Sequence, residues 1–300
     1  MPAMASPFVY LSQRAVLSLS GPDTLALLER LVTNATTDWA PGETRYGALL
    51  TPQGKVLADY IALRTAEGVL LDVSKAHVAD LAKRLKMFRL RSAVDIEVLD
   101  EVFVVAGIEP APEGVRPISG ADKVYLDPRY PGGRLRGFAT KESWAAWYGY
   151  HPAEWSRPLN EYHRDRIAHG IPEQGADFDQ ADVFPADINM DVLGGVALNK
   201  GCFVGQEVVS RMHRRGQIRK RSLPLNIAGA PDAEAETDII AAAPVGSLTS
   251  VEEGMALARL RVDRLEKALA DGLPLTVNET PVTIDIPAWL QAEREAMAKS

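Results

Sequence analysis

The rhythm of apolar residues changes near Arg221, and that change restricts the fold more than any other feature of the chain. Beyond it, short apolar runs are separated by polar turns: Leu223 to Ile227, Val245 to Ser250, Ala256 to Val262, Thr276 to Val277 and Val282 to Ile286. Regularly spaced short strands of this kind predict a small barrel or sandwich. Asp232, Glu234, Glu236 and Asp238 alternate with Ala and Thr between two of these runs and read as a solvated acidic loop.

Before Arg221, helical and strand periods are mixed. Ala15 to Leu19 alternates as a half-buried strand does. Ser20-Gly21-Pro22-Asp23 offers turn and cap chemistry for a helix whose apolar face is Leu25, Leu27, Leu28, Leu31 and Val32. Tyr46 to Leu50 and Lys55 to Leu63, joined by Thr51-Pro52-Gln53-Gly54, predict a β-hairpin. Val69 to Val73 predicts another strand, and Val78, Leu81, Leu85 and Phe88 the apolar face of a helix. That helix ends in Lys83, Arg84, Lys86, Arg89 and Arg91, a dipole-favourable arrangement that reads as a solvated helix end. Ile96 to Ile108 is strand-rich, and the Pro- and Gly-laden stretch from Glu109 to Gly137 reads as loops around short strands. Aromatics cluster in Trp144, Trp147, Tyr148, Tyr150 and Trp155. A helix from Asn160 to His169 closes at Gly170 and Pro172, and the stretch to Lys200 is loop-heavy, a common mark of function. The expectation is an α+β protein. Its body covers about residues 1–221 with a break near 109–160, a C-terminal β-barrel covers 222–290, and 291–300 forms a tail.

Composition narrows the function classes. With 300 residues, 46% hydrophobic and 24% charged, the chain suits two or three packed domains and excludes a disordered or fibrous protein. Its net charge of −7 gives no global attraction for nucleic acid or anionic lipid. A single cysteine, Cys202, excludes an intramolecular disulfide framework and a zinc site of the paired CxxC type, so no metal site is expected. Met1 to Tyr10 lacks a secretory pattern, and no apolar run approaches the ~20 residues that span a bilayer. These readings predict a soluble, cytoplasmic protein without a membrane partner.

The segment Asn199-Lys200-Gly201-Cys202-Phe203-Val204-Gly205-Gln206-Glu207 carries the chemical signal. Val208, Val209 and Met212 give the next residues a helical apolar face, which places Cys202 near a helix N-terminus. Backbone N–H groups, the helix dipole and Lys200 would there favour a thiolate. A buried, inert cysteine is the alternative.

The run from Asp191 through Leu198 into Lys-Gly-Cys-Phe-Val-Gly-Gln-Glu resembles the signature of YgfZ-type folate-binding proteins, bacterial relatives of mitochondrial iron–sulfur assembly factors. That family is similar to the glycine-cleavage T-protein, an aminomethyltransferase that uses tetrahydrofolate. Ser20 to Leu25, Leu31 to Asn34, Arg45 to Lys55 and Gly246 to Leu260 agree with it in order, and the likeness is weakest between Glu109 and Asn160. The resemblance implies a T-protein-like body around a central pocket and a small C-terminal barrel. Tetrahydrofolate, or a one-carbon derivative, is the implied cofactor. The implied function is an accessory role in maturation or repair of iron–sulfur enzymes, with assembly or client proteins as partners.

Departures from the T-protein pattern weigh against transferase chemistry. Cys202 stands where that pattern has Asp, Ala58 replaces the first of two aspartates so that only Asp59 matches, and Ala168 replaces a folate-holding glutamate. Leu71-Asp72-Val73 stands where the T-protein has Val-Val-Asn. Losing a carboxylate removes charge-assisted hydrogen bonds to pterin N–H groups, each worth roughly 1.5–3 kcal/mol. Under the resemblance, Cys202 and Asp59 are the candidate catalytic residues. Tyr46, Lys200, Glu173, Gln206, Glu207 and Arg221 are the candidate folate contacts. Tyr46 and the middle aromatics would form the slot, Lys200 the cation for the glutamyl tail, and Glu173 a substitute for the missing carboxylate. A core position for Tyr46 and a surface position for Lys200 are the plainer readings. The rival functions are a T-protein-type aminomethyl or one-carbon transferase, and a nucleic-acid-associated protein using the basic run Arg211 to Arg221. That run has no interleaved aromatic, so nucleic acid is the weaker partner.

Overall fold

The computed structural model describes residues 8–110, 121–148, 156–214, 218–230 and 232–292. Tyr150, Trp155, the stretch 215–217 of the basic run and most of the expected tail fall outside these residues, as do the side chains of Trp147 and Tyr148. The chain forms two compact units: Met1–Tyr162 with Leu193–Gln206, and His163–Val192 with Glu207–Ser300.

In chain order the first unit carries β1 (Phe8–Tyr10), β2 (Arg14–Ser20), α1 (Thr24–Leu31), β3 (Thr44–Leu50), β4 (Val56–Arg64), β5 (Gly68–Ser74) and α2 (Val78–Arg89). It continues with β6 (Asp95–Val98), β7 (Val102–Pro110), β8 (Lys123–Leu126), β9 (Arg134–Thr140) and α3 (Lys141–Tyr148). Helix α4 (Leu159–Ala168) begins in this unit and continues into the second. Two antiparallel sheets result, one in the order β3-β4-β5-β2-β6 and one in the order β1-β7-β9-β8.

The β3–β4 hairpin forms as its sequence predicts. Gly54 takes the positive φ of +80° that the turn demands, and its N–H bonds to the Thr51 carbonyl at 2.8 Å. Register then sorts the side chains. Tyr46 lies opposite Ile61, Ile61 opposite Asp72, and Ala48 opposite Asp59, so Tyr46, Asp59, Ile61 and Asp72 share one face of the sheet. Leu17, Leu19, Tyr60, Ala62, Leu71 and Val73 occupy the other, where they pack with Leu27, Leu28 and Leu31 of α1 and Leu81 and Leu85 of α2. Each fully buried leucine there contributes roughly 1.5–3 kcal/mol.

The second unit contains α5 (Gln206–Arg214), which starts at its boundary, and the strands β10 (Lys220–Asn226), β11 (Asp238–Ile240), β12 (Pro244–Glu252), β13 (Met255–Arg261), β14 (Leu275–Val277) and β15 (Thr280–Ile284). Helix α6 (Val262–Ala270) lies between β13 and β14. The strands close into a barrel in the order β10-β13-β12-β11-β14-β15. Closure removes the exposed edges that six short strands would otherwise present. Leu223, Leu225, Ile239, Leu248, Leu260 and Val277 form its core.

Three elements differ from the sequence reading. Helix α6 interrupts the all-β region and buries Val262, Leu265 and Ala268 against the barrel core. The acidic stretch is a loop only as far as Thr237, because Asp238 opens β11 and Ile239 fills the barrel. The aromatic cluster includes helix α3, whose Trp144 is buried with Val105, Leu135 and Ala139.

The loop-heavy stretch 163–192 is fastened to the barrel by buried polar groups. Asn189, at φ +60°, donates its amide to the Ser222 carbonyl at 2.6 Å and the Gly170 carbonyl at 3.2 Å, while its oxygen accepts the Ser222 N–H at 3.3 Å. Asp177 accepts from Arg166, Thr249 and Ser250, and Asp191 takes a two-pronged bond from Arg221 at 2.6 and 2.9 Å. Asn189→Ala leaves buried backbone groups unmet and puts a Cβ-only residue at positive φ. We expect a loss of about 2–4 kcal/mol, read as a lower thermal unfolding midpoint, with Asn189→Gly retaining the backbone part.

Candidate functional site

The face of the five-stranded sheet that carries Tyr46, Asp59 and Asp72 is covered by charge, all of it within the first unit. Asp72 accepts from Arg14 Nε at 2.6 Å, from Tyr125 Oη at 3.2 Å and from Arg136 Nη1. Arg136 continues through Nε to Asp127 at 2.9 Å and through Nη2 to Tyr162 Oη at 2.7 Å. Asp127 also takes Nε and Nη2 of Arg129 at 3.0 and 2.8 Å. The Arg129 guanidinium then lies 5.4 Å over the Tyr46 ring, and the Tyr46 hydroxyl donates to Asp59 at 3.1 Å. Three arginines and three aspartates balance in a space almost closed to water.

Burial raises the cost of every charge in this set, and the pairing decides which survive. Burial pushes the Asp127 carboxyl up, but Arg129 and Arg136 outweigh it and hold the group well below the ordinary carboxylate range. Burial, with the Asp59 carboxylate beside it, lifts the Tyr46 hydroxyl far above its usual value, so it stays a donor at neutral pH.

The glycine-rich segment packs on the other side of this unit. The Lys200 ammonium is buried and donates to the carbonyls of Asn34 at 2.5 Å and Val32 at 2.9 Å, with Glu29 at 3.6 Å. Burial lowers its pKa and Glu29 partly offsets that. Ala197 N–H bonds to the Thr33 carbonyl at 2.9 Å, and Thr33 Oγ1 donates to the Gly195 carbonyl at 2.6 Å. Gly205 sits at φ +80° with its missing Cβ only 2.6 Å from the Thr51 carbonyl, so the chain presses directly on the β3–β4 turn. Cys202 is exposed on this fastened segment, with Phe203, Val204 and Gly205 between it and the first residue of α5.

The residues singled out by sequence therefore fall into separate places. Tyr46 and Asp59 meet by direct hydrogen bond. Gln206 reaches the Lys200 carbonyl at 3.3 Å, and Lys200 turns inward to clamp backbone instead of presenting a cation to an acidic tail. Cys202 stands four residues before Gln206, the first residue of α5, with Gly205 at positive φ and pressed on the Thr51 carbonyl between them. Glu173, Glu207 and Arg221 belong to the second unit. Glu173 is buried, and its backbone N–H bonds to Asp177 at 2.9 Å. Glu207 pairs with Arg211 on an exposed helix face at 2.5 Å. Arg221 is buried against Asp191 and stacks 5.2 Å over Trp289, which removes it from the solvated basic run. Sequence reasoning missed Arg14, Asp127, Arg129 and Arg136. For Asp127, Arg129 and Arg136 the charges in the Pro- and Gly-laden stretch were the available signal, and loops hold most such charges in water; Arg14 opens β2 with no local signal.

Two outcomes follow for the charge layer. Asp72→Ala takes the paired carboxylate from Arg14 and one of two from Arg136 in a closed space, and should cost about 3–5 kcal/mol, measured by denaturant unfolding. The depressed Asp127 pKa makes stability depend on acid with a definite sign. Its contribution is fully present above the free carboxyl value of 3.8 and is lost as pH falls from there through the lower folded value. Melting curves between pH 6 and pH 2 should therefore fall most steeply below about pH 4, and less so in Asp127→Asn.

Comparison with known proteins places this geometry. Residues 10–108 match the GCVT N-terminal domain, and residues 219–292 match the CAF17 C-terminal beta-barrel domain. The iron–sulfur cluster assembly factor IBA57 homolog, mitochondrial, of Mycosarcoma maydis is 33% identical over 77% of this chain and 60% of its own length. The iron–sulfur cluster assembly factor IBA57, mitochondrial, of Homo sapiens is 31% identical over 72% of this chain and 65% of its own length. This chain thus spans about three-fifths to two-thirds of these relatives. The crystal structure of the glycine cleavage system aminomethyltransferase T from Bartonella henselae shares the fold, with a TM-score of 0.64 at 15% identity over 85% of this chain and 78% of that one. The cytoplasmic expectation is overturned, because the named relatives are mitochondrial proteins. An acidic surface and one unpaired thiol suit any reducing compartment, so the residues did not separate the two. Both units of the chain thus match the CAF17/IBA57 proteins, the first through a GCVT N-terminal domain and the second through a CAF17-type barrel.

Proposed function

We propose that this protein is a folate-binding accessory factor in the maturation of iron–sulfur proteins, and that it works by presenting Cys202 to a partner. The observation that carries the reading is the fastening of Cys202. Lys200 and Ala197 bond to backbone just after α1, Gly205 presses on the β3–β4 turn, and Gln206 braces the segment internally on the Lys200 carbonyl, while the thiol itself stays exposed. A fixed, accessible sulfur suits brief contact with a cluster or thiol held mainly by another protein, since a cluster normally takes four protein thiolates. The names of the curated relatives support the same direction.

The donor set near Tyr46 fits a pterin in kind. Asp59 is an acceptor for N–H groups, Tyr46 an aromatic ring and Arg129 a cation, all three buried together with Arg129 over the ring. Bound tetrahydrofolate would supply a one-carbon carrier, and these residues would hold and orient its ring. The transferase reading is weaker, because Ala58 and the exposed Ala168 carry no carboxylate where that chemistry needs one.

Cys202→Ser should sharply lower the activity of cluster-dependent enzymes in cells that rely on this chain, while the purified variant keeps its melting midpoint and its affinity for tetrahydrofolate. Full enzyme activity in those cells would reject the thiol role. Asp59→Asn should weaken tetrahydrofolate binding by about tenfold or more in calorimetric titration, the size expected for a charge-assisted hydrogen bond. No heat of binding to the unaltered protein would reject the folate role.

A further inference from the structure

The C-terminal end of α2 breaks the usual rule for a solvent-facing helix. Val78, Leu81, Ala82 and Leu85 face the core, so Lys83, Lys86 and Met87 lie away from it, and Leu90 follows directly after the last helical residue. Met87 is 65% exposed, Phe88 41% and Leu90 86%. Three of the seven exposed large apolar side chains found among the described residues thus fall within four consecutive positions. Folding gains nothing from Leu90. Its backbone sits at φ +49°, where glycine is at ease and a leucine is not, and its side chain packs on little.

Positive charge surrounds these apolar groups. Lys83, Lys86 and Arg91 are exposed and form no ion pair among the described residues, although the whole chain carries −7. Phe88 and Leu90 are also walls of an open concavity. Phe88, Leu90, Arg30, Arg89 and Arg91 line a cleft of about 770 Å3 together with Asp23. Asp23 is occupied locally, accepting the Ala93 N–H at 2.7 Å, and Arg89 is steadied by the Val94 carbonyl at 2.9 Å.

We propose that this cleft and helix end dock an acidic, leucine-bearing segment of a partner protein. The apolar walls accept the partner's aliphatic side chain and the ring of cations meets its carboxylates. A short segment that carries carboxylates beside an aliphatic side chain answers both the arginines and the apolar walls of this lining. The inference is independent of the folate and cysteine roles, because no residue in it belongs to either.

The test uses the full chain and a fluorescein-labelled peptide of about twelve residues, with two leucines set among glutamates. Anisotropy should report saturable binding that weakens as salt rises from about 50 to 300 mM, since the cations are exposed and screened. The double variant Lys86→Glu/Arg91→Glu should weaken it by at least about tenfold. Leu90→Gly should weaken it too, without lowering the melting midpoint, so loss of binding cannot be assigned to unfolding. No saturable binding by the unaltered chain, or equal binding by the variants, would overturn the proposal. Flotation with phosphatidylcholine vesicles containing phosphatidylglycerol gives the other arm: recruitment that Leu90→Gly abolishes would make the surface a lipid contact and overturn it as well.

Discussion

Arg136 is the joint on which the first unit turns. Its guanidinium lies between Asp72 on β5 and Asp127 beyond β8, and it holds the Tyr162 hydroxyl with its remaining donor. A guanidinium can do this because its five N–H groups form a rigid planar fork that matches carboxylates two at a time. A hydrophobic residue at this position would join the sheets by area alone. The arginine joins them by direction, and each aspartate in turn orients a second arginine: Arg14 at Asp72 and Arg129 at Asp127. Taking such charges out of water is costly, and the layer stands because Asp72 and Asp127 each sit between two arginines. Tyr46 and Asp59 inherit their positions from this arrangement through the Arg129 stack.

A second use of buried charge explains how a segment far along the chain is held. Lys200 spends its ammonium on two backbone carbonyls just after α1, so one cation ties the glycine-rich segment to the start of the fold. Glu29 keeps that charge from being isolated. Burial works against ionising Glu29, yet the Thr36 N–H and hydroxyl together with Lys200 outweigh it and lower its pKa. The glycine at 205 completes the fastening by sterics, since any side chain there would strike the Thr51 carbonyl. Cys202 can therefore be both exposed and well placed.

The barrel unit repeats the principle. Loops cannot pay for their order with a continuous apolar face, so stretch 163–192 is pinned by Arg166 to Asp177, Arg221 to Asp191 and the three bonds of Asn189. His163 shows the consequence for its neighbours: burial, and then the Arg166 charge, lower its pKa, and its Nδ1 accepts from Arg166 Nε at 2.9 Å.

The sequence by itself determined the local elements and the segment worth attention. Hairpin β3–β4, helices α1 and α2 and most barrel strands follow from apolar period and turn residues, because those forces act between near neighbours along the chain. The run Asn199 to Glu207 was legible for the same reason: glycines, a lysine and the lone cysteine are adjacent. Tertiary structure alone decided what the charges do. Asp72 and Arg136 are 64 residues apart, and Lys200 meets carbonyls 166 and 168 residues away. Arg221 ends a basic run in the sequence, yet it is buried against Asp191 with Trp289 stacked on it. A charged side chain is by default a surface group, and only the partner that folding brings to it makes burial affordable. That partner is fixed by how sheets and loops pack, which no local pattern encodes.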